Sequence, residues 1–373
     1  LIDASAFELP GDVDTLAARI ARFETGDDYE RILDTVRRRV GELRFALGVQ
    51  LIEGASDPLD IGAALARVAE AAIKVLTDAA IAEFRLVHGR VPDSEFVILG
   101  LGRMGGGVLT HASDLDLIFL FSGDYAAESD GRRPLGGTLY YNRLCQRVIA
   151  ALSVPTAEGA LYEVDTRLRP SGEQGPPAAG FASFERYQHE QAWTWEHMAL
   201  ARARPLYGSS AARSELDTIV ANVLTISRDP NELRRNVLEM RGTMAEHKRA
   251  KGPLDVKLAR GGLVDLEFLV HFLQLREARC LHPDLGEAVR SLIAEELVPD
   301  GLASAHDNLT RFLVAARLLA PDSQIPPIAA RVALAKACRC SDWDDTLAQL
   351  HTAKTQVAAA WADAFDEELE IET

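Results

Sequence analysis

Apolar positions along the first quarter of the chain recur three and four residues apart. Ile32, Leu33, Val36 and Val40 form one series, and Ala64, Val68, Ala71, Ala72 and Val75 another. This is the helical period, so residues 14 to about 87 read as two or three amphipathic helices, broken by a turn at 54–58. The texture changes at Pro92. Residues 96–99 (Phe-Val-Ile-Leu) are a short apolar run closed by glycines, which predicts a buried strand. A glycine-rich loop follows, then a second buried strand over Leu115–Phe121, and 123–134 is polar enough to be a loop. Helical spacing returns at 139–152, with Leu144, Val148 and Ala151 on one face. Alternation over 160–168 predicts a third strand. Beyond the Gly/Pro-rich stretch 170–180 every segment reads helical: 181–207, 210–226, 231–248 and, past a break at 252–262, from Val264 onward. A mixed core is therefore expected between helical segments, with no internal repeat. The acidic tail (Asp366, Glu367, Glu368, Glu370, Glu372) reads as a solvated, fraying helix end.

The chemistry concentrates around the second strand. Asp114 and Asp116 are two apart, so on a strand they project from the same face. Two carboxylates at the mouth of a buried strand repel each other and are poorly solvated unless a cation compensates them. A divalent metal is one compensation; a strand end reaching water is the other. The third strand adds a further acid, because alternation places Glu163, Asp165, Arg167 and Arg169 on one face. If that strand pairs beside the second, Asp114, Asp116 and Asp165 converge. Three such acids suffice to hold two metal ions against a triphosphate. Arg167 and Arg169 could offset phosphate charge or form ion pairs within the cleft wall. Gly105, Gly106 and Gly107 could let backbone N–H groups approach a phosphate, and Ser113 could donate to it or cap the turn.

One competing motif lies in the same stretch. Gly100, Gly102 and Gly105 fit the G-x-G-x-x-G fingerprint of dinucleotide-binding folds. That fold needs a crossover helix before its next strand, with an acid about 20 residues on. Asp114 arrives too soon for such a helix, so the fingerprint is set aside.

Length, charge and cysteines then narrow the picture. A chain of 373 residues predicts two or three domains. The expected divisions are a helical segment over 1–88, the mixed core over 89–212 and a helical bundle over 213–373. A start at Leu1 rather than Met suggests a fragment of something longer. No apolar run approaches a membrane span and no secretory leader is visible, so a cytoplasmic protein with no membrane partner is expected. The net charge of −16 disfavours nucleic acid as a partner, which also disfavours an RNA nucleotidyltransferase. Cys145, Cys280, Cys338 and Cys340 show no metal-ligand spacing and read as inert thiols.

Several motifs together resemble the glutamine synthetase adenylyltransferase family. They are Gly-Leu-Gly-Arg-Met-Gly-Gly-Gly at 100–107, Ser-Asp-Leu-Asp-Leu-Ile-Phe at 113–119 and Tyr-Glu-Val-Asp-Thr-Arg-Leu-Arg-Pro-Ser-Gly at 162–172. Trp-Thr-Trp-Glu-His at 193–197 and Gly-Gly-Leu-Val-Asp-Leu-Glu-Phe at 261–268 extend the match. The resemblance implies an α+β fold, a polymerase-β-like nucleotidyltransferase mixed-sheet core flanked by helices and followed by a C-terminal helical bundle. It implies transfer of AMP from ATP to a tyrosine of glutamine synthetase, with Mg²⁺ or Mn²⁺ on Asp114, Asp116 and Asp165. Gly106, Gly107, Ser113, Arg167 and Arg169 would contact the nucleotide. The PII signalling protein would regulate the full-length enzyme. That family carries an AMP-attaching and an AMP-removing half, and the 193–197 and 264–268 patterns resemble the attaching one. The removing half and a silent nucleotide-binding regulatory domain stay as alternatives. Arg103, Met104 and Ala112 depart from the usual pattern, which puts a phosphate role for Arg103 in doubt.

Other residues have ordinary readings beside their functional ones. Trp193 and Trp195 could stack on adenine, but on a helix they face apart and one is expected in the core. Glu196 and His197 read as a polar network, and His111 as a solvated loop histidine rather than a ligand. Asp265 and Glu267 could face the cleft or be exposed or capping acids. Lys248, Arg249, Lys251, Lys257 and Arg260 form a basic loop that could meet phosphates or water.

Overall fold

A computed structural model describes residues 8–24, 26, 28–123 and 126–371. Three helices lead: α1 (Val13–Ile20), α2 (Tyr29–Ile52) and α3 (Pro58–His88), as the periodicity predicts. Asp12, Asp28 and Asp57 cap them by accepting backbone N–H groups, and α3 carries Pro58 in its first turn.

Then comes the sheet. Strand β1 (Phe96–Gly100) is followed by a single helical turn, α4 (Gly102–Gly105), and by β2 (Leu115–Phe121). The two strands are antiparallel, with Phe96 opposite Phe121 and Gly100 opposite Leu117. An antiparallel pair joined by one helical turn is not the parallel unit that dinucleotide binding requires. All of β1 and nearly all of β2 are buried, which explains their unbroken apolar runs. Helix α5 (Gly137–Ser153) follows.

Three expectations are corrected beyond this point. The predicted strand over 160–168 contracts to β3 (Val164–Asp165), which pairs in parallel with the start of β2. It ends there because the Asp165 carboxylate accepts the Arg167 backbone N–H at 2.8 Å, an Asx-type turn that diverts the chain. Within the expected 170–180 loop lies β4 (Ala178–Gly180), parallel to the far end of β2. The expected helix over 181–207 divides into α6 (Phe181–Glu190), α7 (Thr194–Leu200) and a strand, β5 (Arg204–Tyr207), antiparallel to β1. The sheet therefore runs β3-β2-β1-β5, with β4 also on β2.

The remainder is helical: α8 (Ser210–Leu224), α9 (Pro230–His247), α10 (Leu263–Glu277), α11 (Leu285–Ala294), α12 (Gly301–Leu319), α13 (Ile328–Ala337) and α14 (Trp343–Phe365). Helix α10 is buried on almost every face, between α9, α14 and α7. Beneath it Phe272, Trp361 and Phe365 form an aromatic cluster with centroids 4.2–4.5 Å apart. The acidic tail is solvated as expected, with Asp366, Glu367, Glu368 and Glu370 exposed, but it follows the helix: α14 stops at Phe365, where Asp366 turns left-handed, and Glu372 lies outside the described residues.

The leading helices fix the loop between β1 and β2. Leu109 donates its N–H to the Gly62 carbonyl of α3 at 3.0 Å. Arg44 of α2 donates to the carbonyls of His111 (2.6 Å) and Leu161 (3.1 Å). Glu70 of α3 accepts from both terminal guanidinium nitrogens of Arg204, whose Nε donates to Gly105 O at 3.2 Å. Among the described residues no helix is long and apolar enough to cross a membrane.

Candidate metal centre

Three backbone facts bring the acids together. Asp116 is the second residue of β2, Asp114 immediately precedes that strand, and Asp165 is the register partner of Asp116 on β3. One oxygen from each carboxylate lies within 4.8 Å of the others. Asp114 is exposed and the other two are half-buried, and Asp114 and Asp165 line an open cleft of about 600 Å³. Burial, then the Asp114 and Asp165 charges, push the Asp116 carboxyl up to about 6. The Asp165 carboxyl is instead held below the usual range, chiefly by the Arg167 side chain. Three hard oxygen donors that repel one another at this spacing fit Mg²⁺ or Mn²⁺.

The glycine-rich loop serves this cluster differently from expectation. Gly102, at φ +53°, lies against the acids: a Cβ there would sit 2.3 Å from Asp116 Oδ2. Gly106 is covered, since a Cβ would meet Arg202 Nη2 at 2.4 Å. Gly107, at φ +73°, has open space beside it. The Ser113 hydroxyl accepts the Thr110 N–H at 2.9 Å and pairs with the Thr110 hydroxyl at 3.0 Å, so it closes the turn. Arg167 is exposed and grips both Asp165 oxygens through Nε at 3.0 and 2.9 Å. Arg169 lines the same cleft as Asp114 and Asp165, tied there to Thr166 by donating to its carbonyl and hydroxyl at 2.9 and 2.8 Å.

A family profile described as glutamate–ammonia ligase adenylyltransferase matches residues 1–219, the stretch that carries these acids. The chain belongs to that family. A bifunctional glutamine synthetase adenylyltransferase/adenylyl-removing enzyme from Rhizobium meliloti is 42% identical over 343 residues, covering 89% of this chain and 35% of the relative. Enzymes of the same name from Brucella suis (42% over 311 residues, 80% and 32% covered) and Xanthobacter autotrophicus (36% over 376 residues, 96% and 38%) are also similar. The chain thus spans about a third of the length of these relatives.

Family motifs that reasoning from residue type left ambiguous take definite places. Glu267 of α10 is neither exposed nor capping: it accepts Arg202 Nη1 at 2.7 Å, beside the loop that carries Gly106. Burial alone would raise its carboxyl, but Arg202, Arg103 and Lys257 together hold it low. Asp265 is fully buried, accepting Arg241 Nε at 2.5 Å and the Gly261 N–H at 2.8 Å. Of the basic loop, Lys257 offsets the Asp116 charge and Lys248 that of Asp165, while Arg249 and Lys251 stay exposed. Burial depresses the Lys257 ammonium and brings the Arg103 guanidinium down to about 10. Arg202 and Arg103 are the cations that sequence reasoning missed or doubted; their one signal was adjacency to matched motifs.

The histidines and tryptophans complete the comparison. His111 is not the solvated loop histidine expected: it is half-buried with Nε2 3.1 Å from Arg44 O. Glu196 and His197 form the expected polar network. Glu196 accepts from Tyr187 and the Trp193 N–H, while His197 bonds to Gln188 O and Arg228. Both tryptophans are exposed, Trp193 at 71% and Trp195 at 41%, so neither joins the core.

Proposed function

We propose that this chain is the AMP-attaching part of its family. It transfers AMP from ATP to a tyrosine of glutamine synthetase, thereby regulating nitrogen assimilation. The observation that carries this reading is the convergence of Asp114, Asp116 and Asp165 at one cleft. Those carboxylates would hold two divalent ions, Mg²⁺ or Mn²⁺, which when bound supply charge neutralisation for the triphosphate and alignment for in-line displacement.

The chain's own residues do the rest. Gly102 lets the loop lie against Asp116 without a side chain between them. Arg103, Arg202 and Lys257 set a positive field beside the acids, suited to a triphosphate and to departing pyrophosphate. Gly107, whose open side can admit a ligand, and Arg167, once released from Asp165, would contact phosphate oxygens. A tyrosine hydroxyl with a pKa near 10 is a poor nucleophile at neutral pH. Contact with a bound metal ion, or an acid of the cleft acting as base, would help to remove that proton. Cytoplasmic location and regulation of the full-length enzyme by PII belong to the same proposal.

Intact-mass analysis of glutamine synthetase after incubation with this chain, Mg²⁺ and ATP tests the direction of transfer. A mass gain of one adenylyl group supports the reading. Loss of that group from modified synthetase with phosphate, and no gain with ATP, would assign the chain to the removing half.

A further inference from the structure

Trp193 and Trp195 are exposed together at the start of α7, whereas the other strongly exposed aromatic side chain among the described residues, Phe45, lies apart on α2. They are not loosely held. Trp193 is the N-cap of α7, its N–H donated to Glu196 at 3.2 Å, and Asn236 of α9 donates to the neighbouring Thr194 hydroxyl at 3.2 Å. Helices α7 and α9 are thereby fixed side by side. The two rings, with Met240, Met244 and Phe268, wall a groove of about 780 Å³. A preformed apolar groove of this size, rimmed by polar groups, has the character of a small-ligand site.

Its position tells which ligand. Phe268 and Glu267 are consecutive on α10: Phe268 lines the groove, while Glu267 binds Arg202, whose guanidinium covers Gly106 in the loop behind the acids. At the same end Lys248 lines the groove, and its charge acts on Asp165. Lys248 thus links the two: it lines the groove while its charge reaches Asp165 in the carboxylate cleft. A nucleoside triphosphate has the matching shape: a flat, largely apolar base at one end and a polyanion at the other.

We infer that this groove receives the purine base of the nucleotide substrate, with Trp193 and Trp195 as its stacking faces. The inference rests on the proposed nucleotidyl-transfer centre and adds the residues that select a nucleotide over a bare polyphosphate. Stacking tolerates any base, so Asn236 and Thr243 on the rim supply the hydrogen-bonding edge for discrimination.

Calorimetric titration of the chain with Mg-ATP and, separately, Mg-tripolyphosphate tests this. The expected result is that Trp193→Ala and Trp195→Ala each weaken ATP on the order of tenfold, leave tripolyphosphate unchanged, and are largely rescued by Phe. Both side chains are solvent-facing, so the variants should fold. Unchanged ATP affinity with a raised KM for glutamine synthetase would overturn the inference and give the groove to the protein acceptor. Metal-dependent tripolyphosphate binding that survives Asp114→Asn/Asp116→Asn would instead refute the transfer centre, and this inference with it.

Discussion

Asp116 and Asp165 are register partners on adjacent parallel strands, so two carboxylates stand side by side where a sheet ordinarily places apolar or oppositely charged neighbours. Like charges in that position destabilise the fold, and Asp114 adds a third within 4.8 Å. The arrangement makes sense as a site held in readiness for cations. In EDTA, Asp116→Asn is therefore expected to stabilise the chain by about 1–3 kcal/mol, read by urea denaturation. The same change should lower AMP transfer by about a thousandfold or more. A variant that is less stable in EDTA would show that the carboxylates are satisfied without metal.

Gly102 couples the loop to the acids. Its φ of +53° and the 2.3 Å approach of a notional Cβ to Asp116 Oδ2 leave no room for a side chain. Gly102→Ala should displace that carboxylate and reduce transfer by about a hundredfold, with a higher Mg²⁺ requirement. Strain in the left-handed region adds about 1–2 kcal/mol of destabilisation. Initial rates across a Mg²⁺ series check the first effect and thermal melting the second.

The Arg241–Asp265 pair is the deepest ion pair among the described residues, with side chains 4% and 0% exposed. It joins α9 to α10, the helices that wall the tryptophan groove. Removing Arg241 leaves the buried Asp265 charge only the Gly261 N–H and Arg260 at 3.9 Å, so Arg241→Met should cost about 3 kcal/mol. The double variant Arg241→Met/Asp265→Leu should recover most of that loss. Urea denaturation of both variants gives the comparison.

How much of this was visible in the residues can be judged element by element. The leading helices, β1, β2 and α5 were legible because long apolar periodicity and fully buried runs are dictated by local sequence. The acid trio was legible for a similar reason: two-residue spacing fixes a shared face wherever Asp114 and Asp116 sit on or beside a strand. Strand β5 was not, because Arg204–Tyr207 is four residues following a helix, and only its pairing with β1 makes it extended. Nor could alternation foresee that Asp165 would turn the chain by capping Arg167. The partners Arg202–Glu267 and Arg241–Asp265 lie 65 and 24 residues apart, a distance at which spacing carries no information.

His271 supplies a dependence on pH. Burial lowers its imidazole to about 4 from an ordinary 6.5, against the opposing contribution of Gln274. The folded chain keeps it neutral while the unfolded chain protonates it below 6.5. Stability from this group is thus complete above pH 6.5 and falls as pH drops toward 4, by up to about 3 kcal/mol. The raised Asp116 carboxyl acts in the opposite sense, so the comparison is with His271→Gln. Wild-type stability should fall more steeply than that of the variant between pH 6.5 and 4; parallel profiles would mean the ring is protonated in the folded state.

The central claim is that the three aspartates make this chain an AMP-transferring enzyme acting on glutamine synthetase. Its most direct test incubates the chain with unmodified glutamine synthetase, Mg²⁺ and α-labelled ATP, with Asp114→Asn/Asp116→Asn alongside. The account predicts label on the synthetase with the wild-type chain and none with the variant. Label transfer by both, or by neither when wild-type metal-dependent ATP binding is intact, would contradict it.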